Sequence, residues 1–367
     1  MPRRRSNRLI TVKPCGNGRP AGPGGSTLDV EIEPDPLTGS CQWFCFQVRG
    51  EAGLTVRILN AGSSSYPAGW KSVVVWRRSG GGAWQLLPAG SEDGIVSFAH
   101  EKDGLASYAL FPPLPQRRLD RLAERVAARA DGAVDDAWPG DAPSTLLSLG
   151  DPAPSARQVW IVCGQHGSEH PALWFAEGFV GSLLRRRRLT PGTRFHVVPV
   201  ANPGGMLKGH LRTNPQGQDP NRHWRPSDAG GCPEVATLLR AMENHGVDLL
   251  IDVHTDFEME CVYLDVLDEW MGTPAPLVAK RATIERGLAR VSPDVAYGRR
   301  YPWRAPPRAE LLQGMCAPAV ETRFGAAAMT LELPIGRYRD ASGEDGVWSP
   351  AHSLALGRAA AKVLLSE

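Results

Sequence analysis

Four side chains suited to metal or proton chemistry stand at the ends of apolar, strand-like runs. "QVWIVCGQHGSEH" (158–170) carries His166 and Glu169 just after the run Val159–Cys163. "IDVHTD" (251–256) puts His254 directly after Leu249–Val253, and "MTLELP" (329–334) sets Glu332 inside Met329–Leu333. An acid among leucines and a proline costs free energy unless it is paired or employed. His166 and Glu169 are three apart, a spacing that lets both reach one ion from a turn or a first helical turn. His254, from a neighbouring strand, supplies a third ligand. Catalytic zinc sites often take two histidines and one carboxylate and leave the fourth position to water, whose pKa falls toward ~7. Glu332 is then not a ligand but the base that takes that proton. One Zn2+ per chain is the cofactor this constellation calls for.

Taken singly, each residue has a plainer explanation. His-x-x-Glu pairs are common on solvated helices, His254 alone fits a hydrogen-bonded core histidine, and Glu332 alone fits a salt-bridged strand end. His170 reads as a helix N-terminal residue rather than a ligand. What distinguishes the set is its joint placement at strand ends.

A long loop lies between the first two of these strands: "VVPVANPGGMLKGHLRTNPQGQDPNRHWRP" (197–226). Arg212 there can stabilise a developing oxyanion. Asn221 and Arg222 can grip a carboxylate by charge-assisted contacts. Asp219 can accept from the outer nitrogen of a metal-bound histidine. The competing explanation is a loop held by its own Asn and Asp turns, with solvated arginines.

The elements that must position these groups follow a strand–helix alternation. Strands are expected at Val159–Cys163, Phe195–Val200, Leu249–Val253 and Met329–Leu333. Helices are expected at Pro171–Arg186, Pro233–His245, Leu277–Arg290 and His352–Leu365. Such alternation predicts an α/β fold with a mixed, largely parallel sheet covered by helices on both sides, and functional groups gather at the carboxyl ends of its strands. Before it, residues 28–117 carry short apolar or aromatic runs ("LDVEIEP", "QWFCFQVRG", "LTVRILNAG", "WKSVVVWRR", "IVSFAHE") separated by turn residues, the pattern of a small antiparallel β-sandwich. Leu119, Leu122, Val126 and Ala130 share one helical face, and residues 131–155 read as a loop. The expected organisation is an N-terminal tail (1–27), a β-sandwich domain (28–117) and the α/β catalytic domain (118–367).

Composition sets the outer bounds. The chain has 367 residues, 42% hydrophobic and 22% charged, as ordinary globular proteins do. Its 41 basic and 39 acidic residues give a net charge of +2, which offers no support for a nucleic-acid or membrane partner. No run approaches the ~18 apolar residues of a membrane span. "MPRRRSNRLITVKP" has a basic start but no apolar h-region, so it is not read as a secretory signal. Seven scattered cysteines without a Cys-x-x-Cys pair suggest reduced thiols, hence a cytoplasmic protein. "LLRRRRL" (183–189) reads as a helix C-terminus whose cations suit the macrodipole rather than as a binding patch.

The ordered motifs "QHGSE", "NPGG", "GHLRTN", "DPNRHW", "IDVHTD" and "MTLELP" resemble those of the M14 zinc metallocarboxypeptidases, and more narrowly the cytosolic carboxypeptidase type and its bacterial relatives. "QWFCF" and "FAH" are similar to runs in that family's N-terminal β-domain. The resemblance implies that His166, Glu169 and His254 bind zinc and that Glu332 is the general base and acid. It implies that Arg212 polarises the scissile carbonyl, that Asn221 and Arg222 bind the terminal carboxylate of a peptide or protein substrate, and that Asp219 stands behind a ligand. Departures exist. The family's His-Pro-Gly-Glu is His166-Gly167-Ser168-Glu169 here, and Asp219-Pro220 precedes Asn221 where an aliphatic residue is usual. The neighbourhood that holds a basic residue in glutamate-removing relatives is "GMCAPAV" (314–320), uncharged, with Arg304, Arg308 and Arg323 as alternatives. Tyr263, Tyr297 and Tyr301 are candidates for the family's substrate-assisting tyrosine. A zinc-dependent N-acyl amino acid deacylase of the aspartoacylase or succinylglutamate desuccinylase type shares the metal pattern. A catalytically inactive binding protein on the same scaffold is the third reading.

Overall fold

The computed structural model describes residues 9–11, 16–22, 26–136, 138–139, 144–187, 189, 191–303 and 305–367. Arg304 lies outside the described residues.

The alternating sequence of the first 110 residues folds into two five-stranded sheets. One runs Leu9–Thr11, Cys45–Gly50, Gly104–Ala109, Val75–Ser79, Gln85–Leu87. The other runs Arg19–Pro20, Thr27–Glu31, Leu54–Ile58, Ile95–His100, Ala89–Glu92. Their pairings are antiparallel except for Thr27–Glu31 against Leu54–Ile58. Every second residue points inward, so Val30, Phe46, Val48, Val56, Ile58, Val96, Phe98 and Tyr108 are buried. The segment read as a tail supplies two of the edge strands, at Leu9–Thr11 and Arg19–Pro20.

The α/β part is built on a seven-stranded sheet ordered Gly132–Asp135, Leu146–Gly150, Thr193–Val198, Arg157–Cys163, Leu249–Asp256, Ala327–Pro334, Tyr263–Asp265. The middle four strands are parallel, and the edges are antiparallel. The central strands are apolar on both faces. Val159, Ile161 and Cys163 join one layer of the core, whereas Trp160 and Val162 join the other. The first layer is covered by the helices His170–Leu184 and Pro350–Leu364, which touch closely at two glycines. A Cβ at Gly357 would lie 2.1 Å from the Phe175 carbonyl, and one at Gly178 2.3 Å from that of Leu354. Pro233–His245 and Cys316–Phe324 cover the second.

Two expectations need correction. Residues 131–155 are not a loop throughout: Gly132–Asp135 and Leu146–Gly150 extend the sheet. Both strands are short and flanked by Pro, Gly and Asp, so turn chemistry masked them. Ala130 lies beyond its helix, which ends at Ala127 because Gly132 follows closely and its amide bonds the Arg129 carbonyl.

Candidate metal centre and active-site cleft

The sheet brings the expected residues to one place. His166 and Glu169 follow the Arg157–Cys163 strand, and Glu169 immediately precedes the His170–Leu184 helix. His254 and Glu332 are cross-strand partners on adjacent parallel strands. One nitrogen each of His166 and His254 and one oxygen of Glu169 lie within 4.8 Å of one another, and all three residues are 3% exposed.

The hydrogen-bond partners settle which atoms face the centre. His166 Nε2 lies 3.1 Å from Asp219 Oδ1, and His254 Nε2 lies 2.9 Å from Asp252 Oδ2. Each aspartate is placed to accept an Nε2 proton, which turns the matching Nδ1 toward the centre. Those Nδ1 atoms face Glu169, at 2.7 Å from Oε1 and 3.0 Å from Oε2. Glu169 Oε2 is buried and makes no hydrogen bond. Burial opposes protonation of His254, but Asp252 and Glu169 raise its pKa well above the ordinary value, so without a metal its contact to Glu169 is a charge-assisted hydrogen bond, and a bound ion would take the place of that proton. Donor atoms on a tetrahedral zinc are separated by about 3.3 Å, so the cluster fits one such ion with little movement.

The electrostatics are those of a compact charged network. Burial pushes the Glu169 pKa up, but His254 and His166 outweigh it and hold it at about 2. Burial opposes ionisation of Asp219 as well, yet Arg212 and His166 keep it well below the usual carboxylate range. Asp252 is steadied from behind: Trp224 Nε1 donates to Gln165 Oε1 at 2.8 Å, and Gln165 Nε2 donates to Asp252 at 2.8 Å. Glu332 is pushed well above its ordinary pKa by burial, with His254 opposing and Asp256, Glu169 and Asp265 adding to the rise. Its Oε2 is buried without a partner, and the ionised form of a raised carboxyl is the stronger base.

A cleft of about 280 Å³ opens over this cluster, lined by His166, Glu169, His254, Glu332, Arg212, Asn221 and Arg222 among others. Arg212 Nε donates to Asp219 at 2.9 Å, and Arg212 Nη1 to the hydroxyl of Tyr66 at 2.9 Å. Asn221 is oriented by its Oδ1, which accepts from the Cys316 amide at 2.8 Å. Arg222 is exposed to the cleft and donates to the Asn221 carbonyl at 2.6 Å. Tyr263 and Tyr301 also line the cleft. Tyr297 does not and is 54% exposed. Arg308 and Arg323 are exposed and stand outside the lining, with Arg323 paired to Glu243.

Three residues escaped the sequence reading. Asp252 carried a signal: two residues before His254 on a strand, it shares that residue's face. Tyr66 and Asp35 carried none, because both come from the N-terminal sandwich. Asp35 accepts the amides of Leu211, Arg212 and Thr213 at 2.7, 2.7 and 2.9 Å. The missing proline of the metal turn is also explained. A Cβ at Gly167 would lie 2.6 Å from the Gly205 backbone, and Ser168 Oγ donates to the Leu211 carbonyl at 2.9 Å. The turn is thus tied to the Arg212 loop rather than stiffened by a ring. His170 is no part of the cluster. Its Nδ1 accepts from the Leu114 amide at 3.3 Å, and its ring packs on Trp43.

Comparison with known proteins adds lineage. Residues 14–111 match the family model described as the cytosolic carboxypeptidase N-terminal domain, and residues 155–277 match that of the succinylglutamate desuccinylase/aspartoacylase catalytic domain. An uncharacterized protein of Zymomonas mobilis is 30% identical, over 91% of this chain and 89% of its own. The crystal structure of a metallo-carboxypeptidase from Burkholderia cenocepacia superposes with a TM-score of 0.88 at 25% identity, covering 98% of both chains. A metallo-carboxypeptidase from Pseudomonas aeruginosa, in complex with (2-guanidinoethylmercapto)succinic acid, gives 0.86 at 27% identity, also over 98% of both. Among the described residues, no helix is long and apolar enough to cross a membrane. With a cytosolic-carboxypeptidase β-domain leading into a hydrolase α/β domain, and bacterial metallo-carboxypeptidases matching both along almost their full length, the chain belongs to the M14-type metallocarboxypeptidases.

Proposed function

We propose that the protein is a zinc-dependent exopeptidase that removes the C-terminal residue of a peptide or protein. The observation that carries this reading is the shared cleft: a buried His-Glu-His cluster, an orphaned raised carboxyl and two arginines open onto one space. His166 Nδ1, Glu169 and His254 Nδ1 would hold the metal, with Asp219 and Asp252 fixing the imidazoles. Bound there, zinc supplies Lewis acidity, polarising a carbonyl and making water a nucleophile near neutral pH.

The chain's own residues do the rest. Arg222, beside Asn221, receives the free carboxylate of the substrate, which places the last peptide bond over the cluster. Glu332 takes a proton from the attacking water and passes it to the departing amine. Arg212, kept ionised by Asp219 against the penalty of burial, faces the oxygen on which negative charge develops. The ligand of the Pseudomonas protein, with two carboxylates and a guanidinium, has chemistry that such arginines and acids would accept.

The match of residues 155–277 to the desuccinylase/aspartoacylase catalytic domain favours a second reading, hydrolysis of an N-acyl amino acid. In both readings a free carboxylate is anchored and an amide is cut. The N-terminal β-domain match favours the peptidase. Mixed peptides and N-acyl amino acids, offered to the zinc-loaded protein with and without chelator, separate the two. Chelator-sensitive shortening of peptides from the C-terminus is expected, and hydrolysis confined to N-acyl amino acids would replace this reading with the second.

A further inference from the structure

The N-terminal sandwich sends one hydroxyl into the cleft, that of Tyr66, and the proposed chemistry leaves it unused. Tyr66 lines the cleft together with Arg212 and Arg222. It is held from two sides. Gln42, 2% exposed, bonds its backbone twice: the side-chain amide donates to the Tyr66 carbonyl and accepts from the Tyr66 amide, each at 3.1 Å. The ring stacks on Phe257, three residues past His254, with centroids 5.2 Å apart and planes 3° apart. The turn that follows, Pro67–Ser72, sits directly on that wall. A Cβ at Gly69 would lie 2.2 Å from the Phe257 carbonyl oxygen. A phenol fixed in this way has little orientation left to lose when a substrate arrives.

The hydroxyl's proton is unclaimed. An arginine can only donate, so in the 2.9 Å contact with Arg212 Nη1 the Tyr66 oxygen accepts. Among the described residues, no acceptor takes the hydroxyl hydrogen. The guanidinium is divided in the same manner. Its Nε donates to Asp219 and Nη1 to Tyr66, which leaves Nη2 for a substrate oxygen. A phenol that accepts from a cation is in turn a stronger donor, because the charge draws electron density away from its O–H. Tyr263, by contrast, is spent: its hydroxyl donates to Asp256 Oδ2 at 2.6 Å.

Resting on the exopeptidase reading above, we propose that Tyr66 is a catalytic residue whose hydroxyl donates a hydrogen bond to the oxygen that becomes negative beside Arg212. The proton stays on Tyr66 throughout, and the bond strengthens as the carbonyl oxygen gains charge. The active site is then shared between the two parts of the chain. The α/β part by itself lacks one of the donors, and the sandwich has a chemical role beside the structural one of Asp35.

The test uses the zinc-loaded full chain and Tyr66→Phe, which keeps the ring on Phe257 and removes only the hydroxyl. Zinc content and the urea unfolding midpoint should match wild type. On a peptide substrate kcat should fall about 10²-fold, with KM little changed. A phosphinic peptide, whose tetrahedral centre carries the oxyanion, should bind the variant more weakly by the factor lost in kcat/KM, while the free product amino acid binds both proteins alike. In an Arg212→Ala background, Tyr66→Phe should still weaken the phosphinic peptide about tenfold. No further loss there would make Tyr66 a support for the arginine and overturn its assignment as a donor. Unchanged kcat or unchanged phosphinic binding in Tyr66→Phe overturns it too and leaves the exopeptidase reading standing. If wild type cleaves no peptide, that reading fails, and calorimetry of the phosphinic peptide alone decides. Weaker binding to Tyr66→Phe upholds the donor, and equal or absent binding overturns it.

Discussion

Asp35 grips the backbone that carries Arg212: its carboxylate accepts the Arg212 amide at 2.7 Å, across 177 residues of sequence, and the two flanking amides as well. The contact reaches from the N-terminal sandwich into the wall of the cleft. Asp35 is 3% exposed, so three amides lose their partner if it goes. Hydrogen bonds to a charged group contribute about 1.5–3 kcal/mol each, and buried amides left unpaired add a cost. Asp35→Ala should lower unfolding stability by about 3–5 kcal/mol, and Asp35→Asn by less. Urea unfolding measures this. In the folded fraction, kcat should fall more than KM rises, because Arg212 is displaced where charge develops rather than where substrate docks. An unchanged kcat in folded Asp35→Asn would mean that the sandwich steadies the fold without positioning the arginine.

What the sequence made legible follows from where each residue's partners lie. His166, Glu169, His254 and Glu332 each end or interrupt an apolar strand, and a polar group there is conspicuous against its neighbours. The helix Pro233–His245 was readable to the residue, since proline opens it and Gly246 follows its end. Tyr66 and Asp35 have ordinary turn sequences. Their meaning lies in contacts 146 and more residues away, which no local pattern encodes.

Asp252 and Asp219 stand behind different histidines and so make a matched pair of tests. Each lies within hydrogen-bond reach of an Nε2 and so turns the matching Nδ1 toward Glu169. Asp252→Asn and Asp219→Asn should each weaken metal binding about 10–100-fold, as read by chelator competition. Asp219 also binds Arg212, so its variant should lose more activity at saturating zinc than the Asp252 variant. Equal loss of activity in the two would remove the positioning role assigned to the Asp219–Arg212 contact.

A pH dependence of stability follows from His196, far from the cleft. It is fully buried, with Nδ1 2.8 Å from Ser148 Oγ and Nε2 2.8 Å from Gln158 Oε1. Burial lowers its pKa to about 3, helped by His245 and Arg194. The unfolded chain has the ordinary value near 6.5. Between these values the unfolded state binds the extra proton, so stability is full above about pH 6.5 and declines as pH falls. At pH 5 the loss is about 2 kcal/mol relative to pH 8 from this residue alone. His196→Gln, which keeps polar atoms for both neighbours, should flatten the slope between pH 6.5 and 5 in denaturant titrations. A slope identical to wild type would assign the acid sensitivity to other groups.

Glu332→Gln isolates the proton-transfer role. The amide keeps the size and much of the polarity of the carboxyl and cannot accept a proton at neutral pH. Glu332 is cross-strand to His254 but is not one of the three clustered donors, so metal content should stay near one zinc per chain. Turnover should fall by about 10²–10⁴, with KM little changed because Arg222 and Asn221 still hold the substrate carboxylate. Burial raises the Glu332 pKa well above its ordinary value, so folding opposes its ionisation near neutral pH, and removing the ionisable group should leave the variant at least as stable as wild type there. Retained activity would show that another group takes the proton. Lost zinc would show that Glu332 had been holding the ion rather than working beside it.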